Sequence, residues 1–224
     1  MVGIPSSDVL VAAAFRPELE FLLRTECGEN AMGRLGHLSF CAREVGVGLP
    51  LAAIGASRHI GELRPRAVVL IGTCGEYDGS GLAKGDVIVS RRIHLADLAA
   101  LEGRAQFPPP MATVLEADGR LLVGLSTADA RVADVATTLA ITVEDAAAAT
   151  VARRTGAGVE HLESYGVAVA CSALGIPFIA VLGVANTVGS QGRAQWRANH
   201  ESASVAAGEH LLGWLRQGAP GLPL

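Results

Sequence analysis

The residues of this sequence most able to do chemistry are carboxylates and an amide placed at the ends of apolar runs. Glu18 follows the run Asp8-Val-Leu-Val-Ala-Ala-Ala-Phe15, in Phe15-Arg16-Pro17-Glu18. Glu163 lies in Gly158-Val-Glu-His-Leu-Glu-Ser-Tyr-Gly166, just ahead of an Ala/Val run that must be buried. A carboxyl carried into a buried element is costly unless it is paired or functional. Glu18 also has a bland use, because an acid in the first turn of a helix complements the helix dipole. Gly72-Thr73-Cys74-Gly75-Glu76-Tyr77 reads as a glycine-containing turn leaving a buried strand. Its backbone could approach a ligand closely, or it could be a tight structural turn. It is not a P-loop, since the GxxxxGK[ST] spacing is missing. Gly183-Val-Ala-Asn186 ends another apolar run with an amide, which offers donor and acceptor to a heterocycle edge or turns back on its own loop. His161 reads as a satisfied or exposed histidine more readily than as a ligand. His94 and Asp97 lack a third partner, so no metal is expected.

Those residues need a scaffold that brings strand ends together. Asp8–Phe15, Ala67–Ile71, Asp86–Val89, Val135–Thr142 and Phe178–Val184 read as buried strands, and Glu18–Arg24, Ile54–Leu63, Gly158–Leu174 and Ser202–Arg216 as helices. Pro17 suits the first helical position. This alternation predicts one three-layer α/β domain over 1–216, with a central mixed β-sheet flanked by helices and a frayed Pro/Gly tail at 217–224. Ligands of such sheets bind beyond the carboxyl ends of the strands, where Glu18, the Gly72 segment and Asn186 all fall.

Composition excludes other classes. The 224 residues are 50% hydrophobic and carry 18 basic against 22 acidic side chains, so disorder and a nucleic-acid surface are not expected. Aromatics at 4% also argue against base-stacking platforms. Val167–Ala185 is uncharged, but Gly175-Ile176-Pro177 interrupts it as a helix end and a new strand start. No membrane span is therefore expected. No basic segment precedes the first apolar run, and the four cysteines are scattered without a CxxC pair, which suits a cytoplasmic, soluble chain.

Taken in order, Glu18, the segment 72–77, Gly81-Leu-Ala-Lys-Gly-Asp-Val-Ile-Val89, Glu160-His-Leu-Glu163 and Gly183-Val-Ala-Asn186 resemble the nucleoside phosphorylase/nucleosidase superfamily. The resemblance runs from residue 8 to about 215 and leans toward the futalosine hydrolase branch. It does so through the glycine-rich segment ending in Tyr77, the Glu160–Glu163 motif, and Asn186-Thr-Val-Gly-Ser-Gln-Gly-Arg-Ala-Gln-Trp196. His161 and Leu162 replace that branch's Asn-Met, and Gln191-Gly192 stands where Arg-Asp is usual.

The resemblance implies a purine nucleosidase of menaquinone biosynthesis, without a cofactor or metal, acting on a small nucleoside as a homodimer or higher homo-oligomer. Glu18 would activate water, Glu163 would hold the ribose hydroxyls, and Leu162 would pack under the sugar. Asn186 would contact the purine, Ile141 and Thr142 would flank it, and Thr73 and Gly75 would line the site. A phosphorylase using phosphate, a methylthioadenosine/S-adenosylhomocysteine-type nucleosidase, and a non-catalytic nucleoside-binding protein remain the alternatives.

Overall fold

The computed structural model describes residues 7–223, so the first six residues of the expected domain and Leu224 lie outside the described residues. The chain opens on β1 (Val9–Ala13), whose five side chains are all buried. It is hydrogen-bonded in parallel register on both edges, to β3 (Leu38–Glu44) and β4 (Ala67–Glu76). A strand with no free edge and no solvent face has no use for alternating polar residues, which is why it reads as one apolar run. α1 (Arg16–Thr25) follows with Pro17 in its first positions, as expected. β2 (Met32–Leu35) forms an antiparallel edge on β3, and α2 (Leu49–Leu63) leads into β4.

The second half contains β5 (Val87–Leu95), α3 (Leu98–Leu101), β6 (Val114–Glu116), α4 (Gly119–Leu125) and β7 (Ala130–Thr137). It continues with α5 (Asp145–Thr155), β8 (Val159–Glu160), α6 (Ser164–Leu174), β9 (Phe178–Thr187) and α7 (Gly192–Arg216). The nine strands form one mixed sheet flanked by helices, the three-layer arrangement expected. β9 is parallel to β4 and antiparallel to β5, while β8 joins β4 to β7. With β5 parallel to β7, the strands β4, β9, β5, β7 and β8 close on themselves. α7 packs on β9, β4 and α1, and α2 packs on α6.

Several boundaries differ from the sequence reading, each for a physical reason. The segment 72–76 is not a turn: β4 continues through it because β9 remains paired beside it, with one register shift at Cys74/Gly75. The strand expected over 135–142 lies at 130–137, so Ile141 and Thr142 fall in the following loop. The helix expected from Gly158 is preceded by β8, because Val159 and Glu160 pair with both β4 and β7. α7 starts ten residues before Ser202, through a polar stretch without an apolar stripe to announce it.

The tail also departs from expectation. Trp214 Nε1 donates to the Pro220 carbonyl at 2.9 Å and Arg66 Nε to that of Pro223 at 2.8 Å, while Ala219 is buried, so residues 217–223 are seated rather than frayed. The uncharged segment 167–185 divides between α6 and β9, with Gly175 in the left-handed region at the helix end. Among the described residues no helix is long and apolar enough to cross a membrane.

The approach of α2 to α6 depends on Gly166. A Cβ there would meet the Leu49 carbonyl oxygen at 2.4 Å and the Ala53 nitrogen at 3.1 Å. Gly166→Val is expected to push the helices apart and destabilise the chain by about 1–3 kcal/mol, the usual range for overpacking. Urea unfolding measures this, and an unchanged midpoint would show that the contact is soft.

Candidate active site

Glu18 is delivered by the tight passage from β1 into α1. Pro17 presets the first helical turn, and the carboxyl swings back over the sheet, leaving the residue 5% exposed. Oε1 accepts from the Thr73 backbone N–H at 2.9 Å and from Thr73 Oγ1 at 3.2 Å, and Oε2 accepts from Ala14 N at 3.2 Å. Gly72 leaves room for the carboxyl, since a Cβ there would lie 3.0 Å from Oε1. Burial pushes the Glu18 pKa up to about 8; hydrogen bonds from Thr73 and Ala14 work against the rise, and the charge of Glu163 adds to it. Burial likewise raises the neighbouring Cys74 thiol, with Glu18 and Glu76 adding to the effect, so this thiol is held in its unreactive form.

Glu163 stands at the cap of α6 and is equally buried. Its Oε1 accepts from the Gly48 N–H at 2.7 Å, at the start of α2, where Gly48 has φ 83°. Its Oε2 lies 3.4 Å from His161 Nε2. His161 Nδ1 is 2.9 Å from Ser164 Oγ, and burial holds the imidazole pKa below its ordinary value against the pull of Glu163. This fits a neutral ring with its proton on Nε2 facing the carboxylate and Nδ1 taking the Ser164 proton. His161 is thus a satisfied core histidine, as the sequence suggested, yet one turned toward a site carboxylate.

Asn186 sits near the end of β9, where its Nδ2 donates to the Thr187 carbonyl at 2.9 Å. One amide proton is therefore used at the end of the strand itself, and the other proton and Oδ1 are left for a ligand. Gly75 accommodates this amide, because a Cβ there would come within 2.7 Å of Nδ2. The two glycines of β4 thus make space for the two polar groups beside them. Leu162 is half-buried next to Glu163. Thr142 is tied to Glu160, donating from N at 3.0 Å and from Oγ1 at 2.6 Å, and Tyr77 donates to the same carboxylate at 2.9 Å. Ile141, beside it, is 56% exposed and stands apart from the buried groups.

Sequence reasoning missed Gly48 altogether, and of two residues it noted only within motifs it missed the contacts: Glu160 with Thr142, and Trp196, whose Nε1 donates to Thr73 Oγ1 at 3.0 Å. Gly48 and Trp196 act from other segments, so spacing along the chain could not reveal them. Glu160 carried a signal, an acid in a strongly apolar neighbourhood.

Chemically, the site offers a buried carboxyl poised near neutrality, a second buried carboxylate, and an amide. The largest influences on the Glu18 pKa are burial, the hydrogen bonds from Thr73 and Ala14, and the charge of Glu163. Arg16 is 67% exposed and faces Glu20 at 3.8 Å, and Arg58 lies against His59 at 3.2 Å.

The family model of the phosphorylase superfamily matches residues 2–215. The chain is 27% identical over 211 residues to futalosine hydrolase of Thermus thermophilus, covering 88% of this chain and 91% of that one. It is 23% identical over 190 residues to 5′-methylthioadenosine/S-adenosylhomocysteine nucleosidase of an Exiguobacterium species, covering 80% and 81%. The native structure of futalosine hydrolase of Helicobacter pylori superposes with a TM-score of 0.84 at 14% identity, over 94% of this chain and 98% of that one.

The raised pKa of Glu18 has a consequence for stability. Between its ordinary value of 4.5 and the folded value of about 8, the folded chain holds a proton that the unfolded chain has released. Stability from this group is therefore lost as pH rises through that window. The melting temperature of Glu18→Gln relative to the wild type should move in the variant's favour from pH 5 to pH 9, read by scanning calorimetry. A difference that stays constant with pH would place the Glu18 pKa in the ordinary range.

Proposed function

Because the chain belongs to the phosphorylase superfamily, we propose that it is a nucleosidase that hydrolyses the N-glycosidic bond of a purine nucleoside. The substrate in this reading is futalosine or a related 6-oxopurine nucleoside, with release of hypoxanthine, in menaquinone biosynthesis in the cytoplasm. The observation that carries it is the pair of buried carboxylates, Glu18 and Glu163, close enough that one charge raises the pKa of the other.

Cleavage of a ribosyl–purine bond passes through a cation-like sugar, and carboxylates held in a dry site stabilise that developing charge. Glu18 takes the proton of the attacking water. Its Oε1 is occupied by the two Thr73 donors, whereas Oε2 has Ala14 N alone and can accept that proton. Glu163, anchored by Gly48, holds the ribose hydroxyls and fixes the sugar for in-line attack. Asn186 reads the purine. Its remaining N–H suits the N7 and O6 acceptors of a 6-oxopurine.

Water rather than phosphate is the nucleophile in this reading. A phosphate dianion needs cationic partners. Arg16 faces Glu20 and Arg58 lies against His59, while Glu76, buried at the end of β4 with Thr187, places a carboxyl beside the site rather than a cation. A nucleosidase of the methylthioadenosine/S-adenosylhomocysteine type is the second reading, favoured by the likeness to that relative and separated from the first by the base preference.

The functional unit proposed is a homodimer. Val47, Leu51 and Ile54 are 58%, 57% and 67% exposed on and beside α2, contiguous with the Gly48 that holds Glu163, and a second copy would cover them. Light scattering should give twice 23.0 kDa at micromolar concentration; a mass of one chain would remove this element of the proposal.

The decisive assay incubates the protein with inosine, adenosine, methylthioadenosine and futalosine, with and without phosphate, and measures free base. Release without phosphate is expected, with 6-oxopurine substrates cleaved at least about 10-fold faster than 6-amino counterparts, as one lost hydrogen bond would give. Asn186→Asp should narrow or reverse that ratio. Glu18→Gln should lower turnover by about 10²–10⁴-fold, the range for general-base help, and Glu163→Gln should also remove most of it. Phosphate-dependent release would establish a phosphorylase instead, and a preference for the amino compounds would move the assignment to the second reading.

A further inference from the structure

The geometry points to Trp196 as a positioning residue for the Glu18 carboxyl, acting through the Thr73 hydroxyl. The inference rests on the nucleosidase reading for its kinetic consequence, though its structural basis stands apart from it. Thr73 Oγ1 carries one proton and two acceptor lone pairs, whereas an indole N–H can only donate. With Trp196 Nε1 at 3.0 Å, the indole must use a lone pair of that oxygen. The hydroxyl's own proton is then directed to Glu18 Oε1 at 3.2 Å. Thr73 thus gives Oε1 two donors, its N–H and its O–H, and Oε2 is left with the single donor Ala14 N. The indole makes the two carboxyl oxygens unequal and selects Oε2 as the one that takes the proton.

Trp196 is held for this task from both sides. Its ring stacks on His200, one turn further along α7, with centroids 4.4 Å apart and planes at 27°. The preceding Gln195 accepts from Thr187 N at 2.8 Å, and Asn199 donates to the Ala185 carbonyl at 3.0 Å, which pins the start of α7 to the end of β9. Trp196, 123 positions from Thr73 in sequence, is thereby locked against the hydroxyl that contacts Glu18. Of the neighbouring titratable groups, Glu163, at the cap of α6, raises the Glu18 pKa, and Glu18 in turn raises that of Cys74 of β4.

Trp196→Phe keeps a ring for the stack and removes only the donor. The expected result is a fall of about threefold to tenfold in kcat/KM, carried by kcat, the scale of one hydrogen bond. The acid limb of the pH profile should move upward, because a carboxyl losing an ordered donor is a weaker acid. Thr73→Val should do the same more strongly, and the double variant Trp196→Phe/Thr73→Val should match Thr73→Val alone, since both act through one hydroxyl. An unmoved acid limb, or fully additive losses, would overturn the inference.

A carbon-13 titration of the Glu18 carboxyl keeps the test independent of turnover. A higher midpoint in Trp196→Phe supports the inference even if no nucleoside is cleaved, in which case the nucleosidase reading alone fails; an unchanged midpoint overturns it. Trp196→Leu gives the same reading should the Phe variant not fold.

Discussion

Two buried carboxylates in one site are the constraint that orders the rest of this molecule. Each must be taken out of water, and each raises the difficulty of burying the other. The chain meets that demand with backbone donors at element ends rather than with cations: Ala14 N and Thr73 N for Glu18, and Gly48 N for Glu163. The donors are available there because β1 stops and its ladder with β4 ends at Leu70, which leaves Thr73 N unpaired on that edge, and because α2 begins with an uncompensated N–H. Neutral donors stabilise the charges enough to hold them but leave the Glu18 pKa near 8, whereas an arginine would have pulled it down.

That choice links packing to chemistry. Gly72 and Gly75 appear where a Cβ would strike Glu18 and Asn186, and Gly166 where it would separate the helices that carry Glu163 and Gly48. The apolar strands and the closed ring of β4, β9, β5, β7 and β8 fix these elements with little freedom, as a site that needs sub-ångström placement requires. In the proposed reading, a buried base near neutrality, a second carboxylate for the sugar and an amide for the purine are parts of one hydrolytic reaction.

Much of this was legible in the sequence, for physical reasons that differ by element. β1 and β9 announced themselves because strands buried on both faces are apolar throughout. Glu18 and Glu163 stood out because acids next to such runs are costly. The Gly72–Gly75 segment misled, since glycine marks close approach as well as turns, and here β4 runs straight through. Val159–Glu160 looked helical because a two-residue strand is made by its neighbours and carries no pattern of its own. The start of α7 was silent for lack of an apolar stripe, and Trp196 was noted only by resemblance, without its reach to Thr73. The tail was misjudged because its anchors, Trp214 and Arg66, lie outside it.

The electrostatic coupling of Glu18 and Glu163 is measured most directly by a carbon-13 carboxyl titration of Glu18 in the wild type and in Glu163→Gln. The structure predicts a wild-type midpoint of about 8 that falls when the Glu163 charge is removed. A midpoint in the ordinary carboxylate range, indifferent to Glu163→Gln, would contradict it.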